Sequence, residues 1–142
     1  MTQETRKQPY DWNEARIGAE LGTFEYVLTQ AQVDNYRKAV DDPQAPFTTL
    51  AVKHDAAAFG MAYGGTTGVN ARTDVQFFNP PVPGKTIKVT AHIVDKYVRR
   101  DLPYLVIEAT AIDEDGRLIE KIRTYTMQRT QKVGEKWQHL QK

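Results

Sequence analysis

From Asn70 to Gln128 apolar side chains recur at every second position, and that period commits the second half of the chain to strands. Val75 and Phe77 share one face of a strand that ends at Asn79-Pro80-Pro81. The turn Pro83-Gly84 launches a long strand in which Ile87, Val89, Ala91 and Ile93 alternate with Lys88, Thr90 and His92. Beyond the polar loop Arg99-Arg100-Asp101, Leu105, Ile107, Ala109 and Ala111 line one side of the next strand. Asp115-Gly116 is a strong hairpin signal, and a last strand runs from Arg117 to about Gln128. Strands joined by such short turns meander, so the sheet they form is antiparallel.

The first half carries a different period. Gly22 to Leu28 reads as a strand, with Phe24 and Tyr26 alternating against Thr23 and Glu25. A helix follows: Thr29 is its N-cap, Gln32 completes a capping box, and Leu28 with Val33 forms a hydrophobic staple. Val33, Tyr36 and Val40 fall on one helical face, and the helix should stop near Asp41-Asp42-Pro43, since proline disfavours helical geometry in the residue before it. A second helix is expected from about Thr49 to Tyr63, rich in Ala56, Ala57, Ala58, Gly60 and Ala62 and closed by Gly64-Gly65. Small side chains let a sheet wrap closely, so the expected architecture is α+β: a curved antiparallel sheet around a central small-residue helix.

With 142 residues the chain is the size of one domain, and nineteen basic against eighteen acidic residues leave a formal charge of +1. That balance offers no broad cationic field for nucleic acid or a membrane surface. There is no cysteine, which excludes disulfides and thiolate chemistry, and His54, His92 and His139 are too scattered for a metal cluster. No apolar run approaches the roughly 20 residues that span a bilayer, and the polar opening has no hydrophobic segment of the secretory kind. A bacterial-type cytoplasmic protein is expected, with a domain over 12–130 and polar ends, 1–11 and 131–142, that are flexible or dock on a partner.

Several short words in this order resemble the MaoC-like hotdog family of acyl-CoA hydratases and dehydratases. They are Ile17-Gly18-Ala19-Glu20-Leu21-Gly22, the strand-to-helix junction Leu28-Thr29, and the run from Val75 through Asn79-Pro80-Pro81-Val82-Pro83-Gly84 to Thr86-Ile87. The resemblance covers roughly Trp12 to Gln128 and looks closest to the N-terminal-type dehydratase halves found beside a second, catalytic hotdog. It implies a single hotdog fold and the reversible addition of water to a 2-enoyl-CoA, with no cofactor beyond the coenzyme A thioester substrate. Active members of the family carry an Asp and a His on a D-x-N-P-x-H loop after the first helix, while backbone amides of the central helix polarise the thioester carbonyl. Both parts are needed, because enolate-like charge must be stabilised while a proton moves on and off carbon.

The motif carries over in part. Asp42 matches its aspartate, Gln44 and Ala45 replace the asparagine and proline, and Phe47 stands where the histidine belongs. Phenylalanine moves no proton. His54 is the candidate substitute with Asp55 beside it, although adjacent residues on a helix do not face each other and a polar pair opening a helix is the simpler account of them. Asp42 before Pro43 also makes an ordinary turn. Lys96, Arg99 and Arg100 are the densest cationic group and suit the phosphates of coenzyme A, or a charged hairpin loop. Phe47 and Tyr63 are candidate substrate contacts or core aromatics.

A hotdog sheet leaves an edge exposed, so a homodimer, or a heteromer in which a second hotdog supplies the missing His, is the expected state. The leading reading is a subunit of an enoyl-CoA hydratase or 3-hydroxyacyl-CoA dehydratase acting on an acyl-CoA or acyl-carrier thioester. The alternatives are a hotdog thioesterase using Asp55 to direct water, and a non-catalytic acyl-CoA-binding or structural subunit.

Overall fold

A computed structural model describes residues 11–46 and 68–142. The helix expected over 49–63 lies outside the described residues, as do residues 1–10. The strands are β1 (Glu20–Val27), β2 (Val69–Phe77), β3 (Thr86–Arg99), β4 (Leu102–Asp113) and β5 (Leu118–Met127), and helix α1 spans Gln30–Ala39. All neighbouring strands are antiparallel, in one five-stranded sheet of order β1-β3-β4-β5-β2. This is the α+β arrangement, with one antiparallel sheet, that the alternating pattern anticipates.

The junction into α1 forms as its residues dictate. The Thr29 hydroxyl accepts from the Gln32 amide at 3.2 Å, and the Gln32 side chain accepts from the Thr29 amide at 3.0 Å. Leu28 and Val33 are buried on either side of this box, each burial worth roughly 1.5–3 kcal/mol. Val40, expected on the same face, is 46% exposed because it is the C-cap, where the helix has already turned away. Asp41 then adopts a left-handed φ of 54°, donating to Lys38 O at 3.2 Å, and Asp42 donates to Arg37 O at 3.0 Å. Those two bonds are a Schellman stop.

One sheet face is the core. Ile87, Val89, Ala91 and Ile93 of β3 stand opposite Asp113, Ala111, Ala109 and Ile107 of β4. Of these eight, all but Asp113 belong to one buried hydrophobic cluster. The other face carries a polar row in register across every strand: Glu20, His92, Glu108, Arg123 and Asp74. Arg123 donates to Glu108 from Nη2 at 2.6 Å and from Nε at 3.2 Å, and Arg72 pairs with Asp74 at 2.9 Å. On the same face Tyr97 stacks on Tyr104, their ring centroids 4.9 Å apart, and Val106 is buried.

In β3 the register shifts between Ile93 and Asp95. This bulge inserts a residue and resets the alternation, so that Lys96 and Val98 turn inward after Ile93. The C-terminal segment packs against this inward side. Residues 131–142, expected to be flexible or to dock on a partner, fold back on their own chain through a 3-10 helix over Glu135–Leu140. Trp137 and Leu140, two apolar side chains in this polar segment, are both partly buried against the core.

Candidate active site

The loop after α1 is ordered by its own polar groups. Asp42 Oδ1 accepts from the Gln44 amide at 2.9 Å, the Ala45 amide donates to Asp42 O at 3.2 Å, and Arg37 Nε donates to Ala45 O at 3.1 Å. Asp42 is therefore an exposed turn residue with one carboxylate oxygen committed to backbone. It lies in an open groove lined by Asp34, Arg37, Lys38, Asp41 and Pro43. Of its expected companions, Phe47, His54, Asp55 and Tyr63 lie outside the described residues.

The cationic group does not hold together. Arg99 and Arg100 are exposed at the tip of the β3–β4 hairpin, where Arg100 and Asp101 both take left-handed φ values, 51° and 63°, as a two-residue primed turn requires. Lys96 leaves them because of the bulge: it is 2% exposed, and its Nζ donates to Trp12 O and Ala15 O, both at 2.9 Å. The ammonium also sits 4.2 Å from the ring centre of Trp12 and 3.8 Å from that of Trp137. Burial first, and Lys136 second, push its pKa down to about 8, against the pull of Asp11 and Glu14. The donors of Lys96 are thus committed inside the protein, away from Arg99 and Arg100.

The sequence pattern missed what the core face carries. Across the sheet, Phe24, Val89, Ala111, Glu120 and Phe77 stand in one register row, which places Glu120 on the core side. It is 2% exposed. In the next row Tyr26, Ile87 and Asp113 align, and Asp113 is 5% exposed. Burial, and then the charge of Glu120, raise the Tyr26 pKa well above the usual phenol range. Asp113 is largely explained by structure, since its Oδ1 accepts from the Asp115 and Arg117 amides at the β4–β5 hairpin. Glu120 has no such turn to build. A buried carboxylate on an aliphatic wall, whose charge acts on a phenol of the same face, is a candidate proton carrier. The signal lay in the β4–β5 register: a shift between Ala111 and Ile112 makes Ile119 the extra residue, so Ile119 and Glu120 are both buried although adjacent.

Among the described residues no group of three or more His, Asp or Glu side chains could hold a metal ion, and no helix is long and apolar enough to cross a membrane.

No family model matches this sequence, and no curated protein matches it either. Solved structures match the fold. The unliganded (R)-hydratase PhaJ1 from Pseudomonas aeruginosa superposes with TM-score 0.68 at 12% identity, over 89% of this chain and 90% of that one. The HadBC (3R)-hydroxyacyl-ACP dehydratase complex from Mycobacterium tuberculosis matches with TM-score 0.60 at 17% identity, over 73% and 90%. A hypothetical thioesterase from Streptococcus pneumoniae, solved with coenzyme A, matches with TM-score 0.56 at 13% identity, over 78% and 80%. The chain shares the hotdog fold of MaoC-like hydratases and of hotdog thioesterases.

Proposed function

We propose that this chain is a subunit of a hotdog enoyl-thioester hydratase or 3-hydroxyacyl-thioester dehydratase, acting on an acyl-CoA or acyl-carrier substrate. The observation that carries this reading is the shape match to an (R)-hydratase over about nine-tenths of both chains, at TM-score 0.68 against 0.56 for the thioesterase. In this reading the free oxygen of Asp42 orients water, and His54 or a histidine of a second hotdog subunit moves the proton that Phe47 cannot. Phe47 and Tyr63 line the acyl path, and Arg99 and Arg100 meet the coenzyme A phosphates. Strand β2 is a sheet edge whose end exposes Phe77 (50%) and Phe78 (48%), which suits a second hotdog subunit. The heteromeric HadBC complex supports that arrangement by analogy of fold.

The test follows the loss of enoyl absorbance on hydration of crotonyl-CoA and a bulkier enoyl-CoA. Asp42→Asn is the informative variant, because asparagine keeps the Oδ1 that caps the Gln44 amide while removing the charge. A drop in kcat of tenfold or more at unchanged Tm supports the assignment. If Asp42→Asn and His54→Ala both leave an enzyme-like rate untouched, these residues are not the machinery. Free thiol release abolished by Asp55→Asn assigns the chain to the thioesterases instead. Tight acyl-CoA binding without turnover, alone or with a second hotdog subunit, assigns it to the non-catalytic alternative.

A further inference from the structure

Strand β3 outruns its neighbour. Its pairing with β1 ends at Glu20↔His92, followed by the Ile93 amide to Ala19 O and the Gly18 amide to Ile93 O, yet β3 continues to Arg99. Over the last residues of β3 the side that β1 has left is met by Gln141 and Lys142. Val98 forms a parallel bridge with Gln141, and the Lys142 amide donates to Val98 O at 2.7 Å. The Lys142 ammonium reaches Asp95 Oδ2 at 3.3 Å and lies 4.9 Å from the centre of the Tyr97 ring.

What holds this terminal segment down is specific. Trp137 Nε1 donates to Asn13 O at 3.0 Å, the Gly134 amide donates to Asn13 Oδ1 at 2.7 Å, and Asn13 Nδ2 donates to Lys132 O at 2.8 Å. Trp137 meets Trp12 edge to face at 6.4 Å, with the Lys96 ammonium against both rings. Most of these contacts join residues 131–142 to residues 12–15, so the segment can lift as a unit without unpairing any strand of the sheet.

We infer that residues 131–142 are a strap guarding a strand-pairing edge of β3, and that the edge, once uncovered, pairs with a second copy of this chain. Side-chain order selects that occupant. An antiparallel pairing of the edge with itself, centred on Tyr97, sets Asp95 opposite Arg99 of the second copy on both sides of the two-fold axis and brings the two Tyr97 side chains together. Asp95 is the group over which strap and second copy compete, because Lys142 holds it when the strap is closed. An uncovered strand edge is in general a template for association.

The experiment uses the full chain and two mild variants. Trp137→Ala loosens the strap at its anchor, and Lys142→Pro removes the one amide that donates to Val98 O. Hydrogen exchange of 131–142 and 94–99 is measured beside mass by light scattering over a concentration series. Wild type should protect 131–142. Both variants should lose that protection at least tenfold and gain concentration-dependent association beyond the state of the wild type. Adding Asp95→Lys should abolish the extra association while the strap stays released. The inference is overturned by an unprotected segment in wild type, by variants that do not release it, by release without new association, or by association that survives Asp95→Lys.

Discussion

Replacing Lys96 by methionine turns a buried ammonium into a stability measurement with a definite sign. The side chain is 2% exposed, and its pKa is lowered from 10.5 to about 8, chiefly by burial. Below pH 8 both folded and unfolded chains hold the proton, and the folded state bears the whole cost of keeping the ammonium out of water. Between about 8 and 10.5 the unfolded chain binds more protons than the folded one, so stability rises with pH. At about 1.4 kcal/mol per pH unit, that interval is worth about 3 kcal/mol. The neutral amine keeps two N–H donors, enough for Trp12 O and Ala15 O. Methionine supplies neither donor; Trp12 O still accepts from the Ala15 amide at 3.2 Å, and the loss at Ala15 O costs roughly 1–3 kcal/mol. Near pH 7.5 the relief of burial and the loss of donors largely cancel, and Lys96→Met should lie within about 2 kcal/mol of wild type. By pH 10.5 wild type should have gained about 3 kcal/mol on the variant. Tyr26, raised by burial, pulls the other way above pH 10, but it is common to both proteins and cancels in the difference. Urea midpoints followed by tryptophan fluorescence from pH 7.5 to 10.5 give the profile. A difference that stays flat or shrinks with pH would refute the reasoning, because it would mean that carbonyls and indole faces hold the ammonium as well as water does.

Three further outcomes follow from single contacts. Thr29→Ala removes the hydroxyl that accepts from the Gln32 amide and should cost about 1 kcal/mol in chemical denaturation, with Gly recovering most of it. Arg123→Met leaves Glu108, whose side chain is 12% exposed, with only Lys121 at 3.8 Å; a loss of about 1–3 kcal/mol is expected, shrinking when Glu108→Gln is added. Arg100→Asn with Asp101→Gly suits the left-handed positions of the β3–β4 turn and should raise the Tm by a few degrees, through about 0.5–1 kcal/mol of relieved backbone strain.

What the sequence disclosed, and what it hid, divides along one physical line. Features encoded by neighbours in the chain were legible: the capping box at Thr29 and Gln32, the stop at Asp41, the Asp115-Gly116 hairpin and the alternation of Ile87 to Ile93 all rest on contacts a few residues apart. Features that depend on register were not. The bulge at Val94 has no composition of its own, yet it decides that Lys96 turns inward while Arg99 and Arg100 stay at the tip, and so it dissolves the cationic group that three nearby residues suggest. The shift at Ile119 acts in the same way on Glu120, moving a carboxylate to the buried face, where strict alternation from Ile119 puts a solvated residue. Each bulge thus reassigns a charged residue from surface to interior. For the proposed thioester chemistry the consequence is concrete: candidate proton carriers have to be counted by face as well as by motif, and Glu120 belongs in that count beside Asp42 and His54. The measurement that weighs them is the rate of Glu120→Gln against Asp42→Asn at matched stability. A loss confined to Glu120→Gln would put the working carboxylate on the sheet, and a loss confined to Asp42→Asn would leave Glu120 as packing for Tyr26.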